Sequence, residues 1–220
     1  MSVVAKKRGR PTGSQKIDLQ AILKAAISEF AGKGFDGARL GSIAKEAQVA
    51  NSVLSYHFED KEDLWKQCIG LIAEKMMGRF IEMNSYIKDL KGLAALKVCT
   101  RQFVYFSAEF PEFYNIVIHE MCTRSHRARW LINTVLTPAQ QLFLGDQIDI
   151  LDGEATFMGY PLANLSSIII GATNSYFVHA FQMSEVFDVD VFDKEEVERH
   201  ADIIIDILFA KFEKAESDEN

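Results

Sequence analysis

Residues 43–65, Ile-Ala-Lys-Glu-Ala-Gln-Val-Ala-Asn-Ser-Val-Leu-Ser-Tyr-His-Phe-Glu-Asp-Lys-Glu-Asp-Leu-Trp, leave the chain little freedom in how it folds. Ile43, Ala44 and Ala47 form an apolar ridge at helical spacing, Val49 follows in a tight turn, and Leu54 and Phe58 mark a second, much shorter ridge. Two short helices joined by a turn are expected. A helix so brief is marginal by itself, so neighbours must hold its apolar side while the other side stays free. That free side carries Asn51, Ser52, Ser55, Tyr56 and His57, side chains suited to hydrogen-bonding base edges and phosphates. This is the pattern of a helix-turn-helix whose second helix lies in a major groove.

The flanks fit that reading. Leu19, Ile22, Leu23, Ala26, Ile27 and Phe30 define a first helix over about 17–33, closed by Gly32 and Gly34, as a scaffold for the two short ones. Downstream, Asp60 is placed to cap a long helix over about 61–84, with Glu62 and Asp63 in its first turn. This helix belongs to both parts of the chain, so tilting it would move the recognition helix. From residue 67 onward the pattern stays helical. Leu93, Leu96, Phe103, Phe106 and Phe110 mark a fifth helix, and Pro111 opens a sixth through Phe113, Tyr114, Val117, Ile118 and Met121. Thr137-Pro138-Ala139-Gln140 has the form of a capping box, which predicts a seventh helix from there to about 151. Asp152-Gly153 and Gly159-Tyr160-Pro161 bound a loop. No Asn-Gly hairpin and no sustained period-two run occurs, so an all-α fold is expected.

Residues 155–184 contain no Asp, Glu, Lys or Arg. Asn164, Ser166, Ser167, Thr173, Asn174, Ser175, His179 and Gln182 are too many hydrogen-bonding groups for a lone membrane span, so a helix covered by protein is expected. Its small residues Ser167, Gly171, Ala172 and Ser175 permit another helix to approach closely. The last helix, about 193–215, carries Val197, Ala201, Ile204, Ile205, Leu208 and Phe212 on one stripe and charges on the other. Such a pair suits a homodimer in which two helices from each subunit form a four-helix bundle.

Charge is unevenly placed. Residues 1–66 carry net +3 and residues 67–220 net −10, so the first part is drawn to phosphate backbones and the second is repelled by them. The three cysteines, Cys68, Cys99 and Cys122, are odd in number and far apart, which points to a reducing compartment rather than a disulfide framework. No apolar segment follows the basic first ten residues, as a secretory leader would need, and a cytoplasmic location is expected. Residues 1–16 form a flexible basic arm. Its Arg8-Gly9-Arg10-Pro11 looks like the centre of an AT-hook, in which Arg8 and Arg10 would lie along a narrow minor groove.

Catalytic and metal motifs are weak. His119, Cys122 and His126 stand at i, i+3, i+7, but Thr123-Arg124-Ser125 looks like a helix end and three nearby arginines would repel a cation, so no metal is expected. No Gly-x-Ser-x-Gly, P-loop, dinucleotide fingerprint or His-Glu-x-x-His occurs, and His119 and Glu120, adjacent on a helix, diverge by about 100°. Neither an enzyme nor a cofactor is expected. Aromatic residues spread over several helices, namely Phe103, Phe106, Phe110, Tyr114, Trp130, Phe143, Tyr176 and Phe177, suggest instead an apolar ligand pocket.

Taken together, Ile43-Ala44, Ala47-Gln48-Val49-Ala50, Leu54-Ser55-Tyr56-His57-Phe58 and Lys61-Glu62-Asp63-Leu64, with Gly34-Phe35 and Leu40 upstream, resemble the DNA-binding region of TetR-type (TetR/AcrR) transcriptional regulators. The likeness covers about residues 17–66. Gln48 stands where the pattern has a turn Gly, Ala38 and Ala50 where it has capping hydroxyls, and Ser55 where Tyr is frequent. The resemblance implies a three-helix helix-turn-helix domain, 17–62, and a larger helical ligand-binding and dimerisation domain, 63–220. It also implies a repressor released from a palindromic operator by a small-molecule effector. Asn51, Ser52 and Val53 are the candidates for base contact, since Asn pairs with adenine and Val meets a thymine methyl. Arg39, Ser42, Ser55, Tyr56, His57 and Lys61 are the candidates for phosphate contact. The alternatives are a helical ligand-binding or adaptor module without sequence-specific DNA binding, and a helical enzyme.

Overall fold

The computed structural model describes residues 18–87, 89–90, 92–144, 149–151, 154–157 and 159–218; the basic arm 1–16, with Arg8 and Arg10, lies outside the described residues. The chain runs through α1 (Leu19–Gly37), α2 (Leu40–Glu46), α3 (Asn51–His57), α4 (Lys61–Ile87), α5 (Gly92–Glu109), α6 (Pro111–Thr123), α7 (His126–Leu131) and α8 (Thr137–Leu144). Then follow β1 (Asp149–Leu151), β2 (Glu154–Phe157), β3 (Tyr160–Pro161), α9 (Leu162–Val178), α10 (Ala180–Phe187) and α11 (Lys194–Asp218).

Local chemistry explains the first elements. Asp18 Oδ1 accepts from the Gln20 and Ala21 N–H groups at 3.0 and 3.2 Å, capping α1. Ile22, Ala26 and Phe30 are fully buried on its inner face. The helical path breaks at Gly34 (φ 66°, ψ 174°), where a Cβ would lie 3.2 Å from His119 Nδ1, so both conformation and space ask for glycine. α2 has no side-chain cap of its own. Glu29 of α1 supplies one, accepting the Arg39 N–H at 3.1 Å while Lys33 binds the same carboxylate at 2.8 Å. α2 ends in a Schellman motif: Gln48 takes the left-handed conformation (φ 56°), its N–H reaches Lys45 O at 3.1 Å, and the Val49 N–H reaches Ala44 O at 2.9 Å. Asp60 caps α4 through the Asp63 N–H at 2.8 Å, as its sequence predicts.

One continuous core joins the first helices to the rest. It runs from Ile22 and Phe30 through Ile43, Leu54 and Phe58 to Trp65, Phe80, Phe106, Phe113 and Leu131. α1 packs on α4 and α6, while α5 packs on α9 and α11. At the seam between α1, α4 and the α6–α7 turn lies a buried ion pair. Glu120 is 1% exposed and Arg127 6%. Arg127 Nε donates to Glu120 Oε1 at 3.2 Å, Ser125 Oγ donates to the other carboxylate oxygen, and the guanidinium lies 3.6 Å from the centre of the Phe35 ring.

The second half departs from the sequence reading in three places. A small antiparallel sheet, order β1-β2-β3, replaces the expected loop. Leu151 pairs with Glu154, so only Asp152-Gly153 separates the strands, and Asp-Gly is a strong two-residue hairpin signal. The flanking runs of three and four residues were too short to read as strands. The seventh helix of the sequence reading ends at Leu144, not near 151. Its capping box is unused, because α7 continues through a π-helical turn, Ile132–Leu136, into α8 and Thr137 keeps helical angles (φ −65°, ψ −48°). The uncharged segment starts its helix at Leu162 and breaks at His179 into α10. No helix among the described residues is long and apolar enough to cross a membrane.

Glu120→Ala or Arg127→Ala should each lower the stability of the chain by about 3–5 kcal/mol in urea denaturation, because either leaves an unpaired buried charge; replacing both by methionine should cost far less. A second expectation concerns acid. Burial raises the Glu29 pKa, but the hydrogen bonds from Lys33 and the Arg39 N–H outweigh it, and the carboxyl sits below its ordinary value of 4.5. Its support of α2 is therefore complete above that value and is lost as the pH falls through the lowered one. Glu29→Gln should destabilise the protein at neutral pH and lose its effect in urea titrations as the pH falls below the ordinary carboxylate range.

Candidate functional site

α3 is held by one side only. Leu54 and Phe58 are buried beneath it, and Asn51, Ser52, Ser55 and Tyr56 stand exposed on the other side, Tyr56 at 82%. Ser55 Oγ donates to the Asn51 backbone carbonyl at 3.4 Å, and the Asn51 side chain is exposed. Val53 is half-buried and packs against the core, so it shows solvent only part of its surface. His57 is half-buried between Tyr56 and Phe58, ring centroids at 5.0 and 6.4 Å, with Nε2 buried and without a hydrogen-bond partner.

The remaining candidates differ in their freedom. Arg39, at the start of α2, has an exposed side chain. Ser42 is half-buried near the start of α2. Lys61 is committed inward: Nζ donates to Phe35 O at 2.8 Å and Ala38 O at 3.1 Å, and lies 4.5 Å from the Phe35 ring centre. Two of its three N–H donors are thus used on the α1–α2 connection. Sequence spacing places Lys61 at a helix start, but partners 23 and 26 residues upstream cannot be read from it.

The helical body encloses a cavity of about 360 Å³ between α4, α5, α6, the π turn, α8 and α9. Phe103, Phe106, Tyr114 and Phe143 line it, as the aromatic pattern suggests. Phe110, Trp130, Tyr176 and Phe177 do not. Phe110 packs on the far side of Phe106 at 5.1 Å, and Trp130 meets Trp65 at 5.6 Å on the seam with the first helices. Tyr176 stacks on His200 at 4.3 Å, and Phe177 is buried with Val104, Val191 and Ala201. Aromatic content gives no direction, and these four point to other helices. The sequence reading missed Phe80, Phe113 and the α9 face Leu162, Ser166, Ile170 and Asn174, although that last stripe has plain i, i+4 spacing.

The zinc-spaced trio is divided by the end of α6 at Thr123 and a left-handed Arg124 (φ 52°). His126 Nε2 instead lies 2.7 Å from Glu62 Oε2 of α4. Glu120 is occupied by Arg127 and Ser125 and is not free to act as an acid or base with His119. Among the described residues no group of three potential ligands gathers.

Residues 22–68 match the family described as bacterial regulatory proteins, tetR family. The chain is 31% identical over 115 residues to the HTH-type transcriptional regulator RutR of Escherichia coli (strain K12), covering 52% of this chain and 51% of RutR. It is 36% identical over 91 residues to the fatty acid metabolism regulator protein of Bacillus subtilis (strain 168), 41% of each. The chain thus spans about half the length, or less, of the curated relatives it matches. Its fold is similar to that of the regulator FadR from Bacillus subtilis, solved in complex with stearoyl-CoA (TM-score 0.55, 20% identity, 87% of this chain and 97% of that one). HlyIIR, a hemolysin II transcriptional regulator, is similar to the same degree (TM-score 0.55, 19% identity, 84% and 95%). Residues 22–68 thus match the tetR family of bacterial regulatory proteins over the helix-turn-helix, and a mainly helical body whose fold is similar to those regulators follows it.

Proposed function

We propose that this protein is a cytoplasmic, homodimeric transcriptional regulator that binds a two-fold symmetric DNA operator and releases it when a small molecule enters the cavity. The observation that carries the reading is the exposed polar side of α3, anchored from beneath by Leu54 and Phe58. Residues 17–62 act as the DNA-reading unit and residues 63–220 as the ligand-binding and dimerisation unit. Asn51 and Ser52 read base edges, with Val53 contributing its exposed fraction to a thymine methyl. Arg39, Ser55 and Tyr56 contact phosphates from the outer surface, and Ser42 and His57 support them from half-buried positions. Lys61 presents its remaining donor while fixing the angle between α1 and α4. Arg8 and Arg10 of the arm follow the adjacent minor groove.

A second copy covers the apolar residues left exposed on α9–α11: Ile168, Phe181, Phe187, Ile203 and Ile207. Dimerisation sets the distance between two recognition helices. Ligand response follows from geometry, because α6 and the π turn line the cavity while Arg127 in the first turn of α7 lies over the Phe35 ring of α1. A ligand shifts DNA affinity only by the difference in its affinity for the two spacings.

Binding of the dimer to genomic fragments and to random duplex, followed by fluorescence anisotropy across a salt series, tests the reading. Asn51→Ala should weaken the specific complex by about 1–3 kcal/mol and leave random binding unchanged. Arg39→Ala should weaken both alike and make the salt slope shallower by about one per subunit. A dimer without salt-sensitive preference for any genomic fragment would return the protein to the class of ligand-binding or adaptor modules.

A further inference from the structure

Among the described residues lining the cavity there is no Lys, Arg, His, Asp or Glu. A carboxylate or phosphate inside would lose its hydration with no opposite charge to meet, and so would an ammonium. The wall is mostly Phe, Leu, Ile, Met and Val, and Ile132 and Ile170, 38% and 42% exposed, flank the open side. Thr137 and Gln140, also exposed, stand on the same lining. Asn174 alone in the lining is both polar and buried. Its Nδ2 donates to Ile170 O at 2.9 Å and Thr173 Oγ1 at 3.2 Å, which uses both amide hydrogens. What remains is Oδ1, an acceptor with no donor among the described residues, in a lining that is apolar apart from the half-buried Tyr114 and Ser166 and the exposed Thr137 and Gln140. A volume of about 360 Å³ holds roughly a dozen water-sized groups at about 30 Å³ each.

We infer that the cavity takes a neutral, largely hydrocarbon molecule of about a dozen heavy atoms carrying a hydroxyl or N–H donor, which enters first and is accepted by Asn174 Oδ1. The inference rests on the cavity being the effector site proposed above, and it names the class of effector. Anionic amphiphiles of the same length are disfavoured, because their charged group would meet no opposite charge among the described lining residues.

Three probes of matched length separate the possibilities: 1-decanol, its isomer 1-methoxynonane, which has no donor, and decanoate, which is ionised at pH 8. Binding to the full-length dimer is measured by isothermal titration, and DNA release by anisotropy. 1-Decanol should bind about ten-fold more tightly than the ether and at least ten-fold more tightly than decanoate, and should release DNA in the same order. Asn174→Leu should remove the advantage of the alcohol over the ether while the ether still binds. Ala139→Phe, which fills the cavity from α8, should abolish binding of all three, with DNA affinity and circular dichroism confirming an intact fold. Decanoate binding as tightly as decanol, an alcohol advantage that survives Asn174→Leu, or no binding by any probe would overturn the inference. DNA binding by the ligand-free dimer is read in the same experiment, so loss of the effector class and loss of the regulator reading remain distinguishable.

Discussion

The structure depends on anchoring a helix that cannot stand by itself. α3 is seven residues long and has no side-chain cap at either end, well below the length at which an isolated helix persists in water. Leu54 and Phe58 supply what it lacks by entering a core shared with Ile22, Ile43 and Trp65. Because both anchors lie on one side, the other keeps Asn51, Ser52, Ser55 and Tyr56 in water. An exposed polar face is then the by-product of a packing requirement. Its orientation is only as firm as the contacts beneath it.

Those contacts extend further than the helix-turn-helix. Phe35, just past the break at Gly34, is touched by cations from two directions in sequence, Lys61 at the start of α4 and Arg127 at the start of α7. Arg127 is tied to Glu120 near the end of α6, and Glu62 of α4 is shared by Lys66 and His126. Trp65 and Trp130 meet edge to face on the same seam. The helices that line the cavity therefore grip the turn that orients α2 and α3. A close-packed seam of buried charge and edge-to-face rings repacks in steps more readily than it deforms continuously.

Departures from the family pattern find local explanations. Gln48 occupies a left-handed position that glycine would fill without strain, and the Schellman hydrogen bonds of α2 hold it there. The N-cap of α2 is Arg39 rather than Ala38, and Glu29 reaches across from α1 to accept the Arg39 N–H. Ala50 has no such substitute, and α3 relies on its anchors. The cysteines are likewise local in their behaviour: all three are free, and burial pushes the Cys68 thiol up to about 12 and the Cys99 thiol to about 11.

By itself the sequence determined what short-range physics controls. The period of 3.6 in Ile22, Ala26 and Phe30, the cap at Asp60, the break at Gly34, and the two ridges separated by a turn are each set within one or two helical turns, and they suffice to specify the helices, the helix-turn-helix and its polar side. Tertiary structure alone decided the matters that join distant segments. Lys61 faces carbonyls of the α1–α2 connection rather than open water, and Glu120 waits for an arginine seven residues on, across a helix break. Four of the aromatic residues turn to other helices while Phe80, Phe113 and Asn174 enclose the cavity. A side chain's type and spacing say that it will be buried or paired, but which partner it meets depends on the crossing of helices far apart in the chain, and no local pattern encodes that.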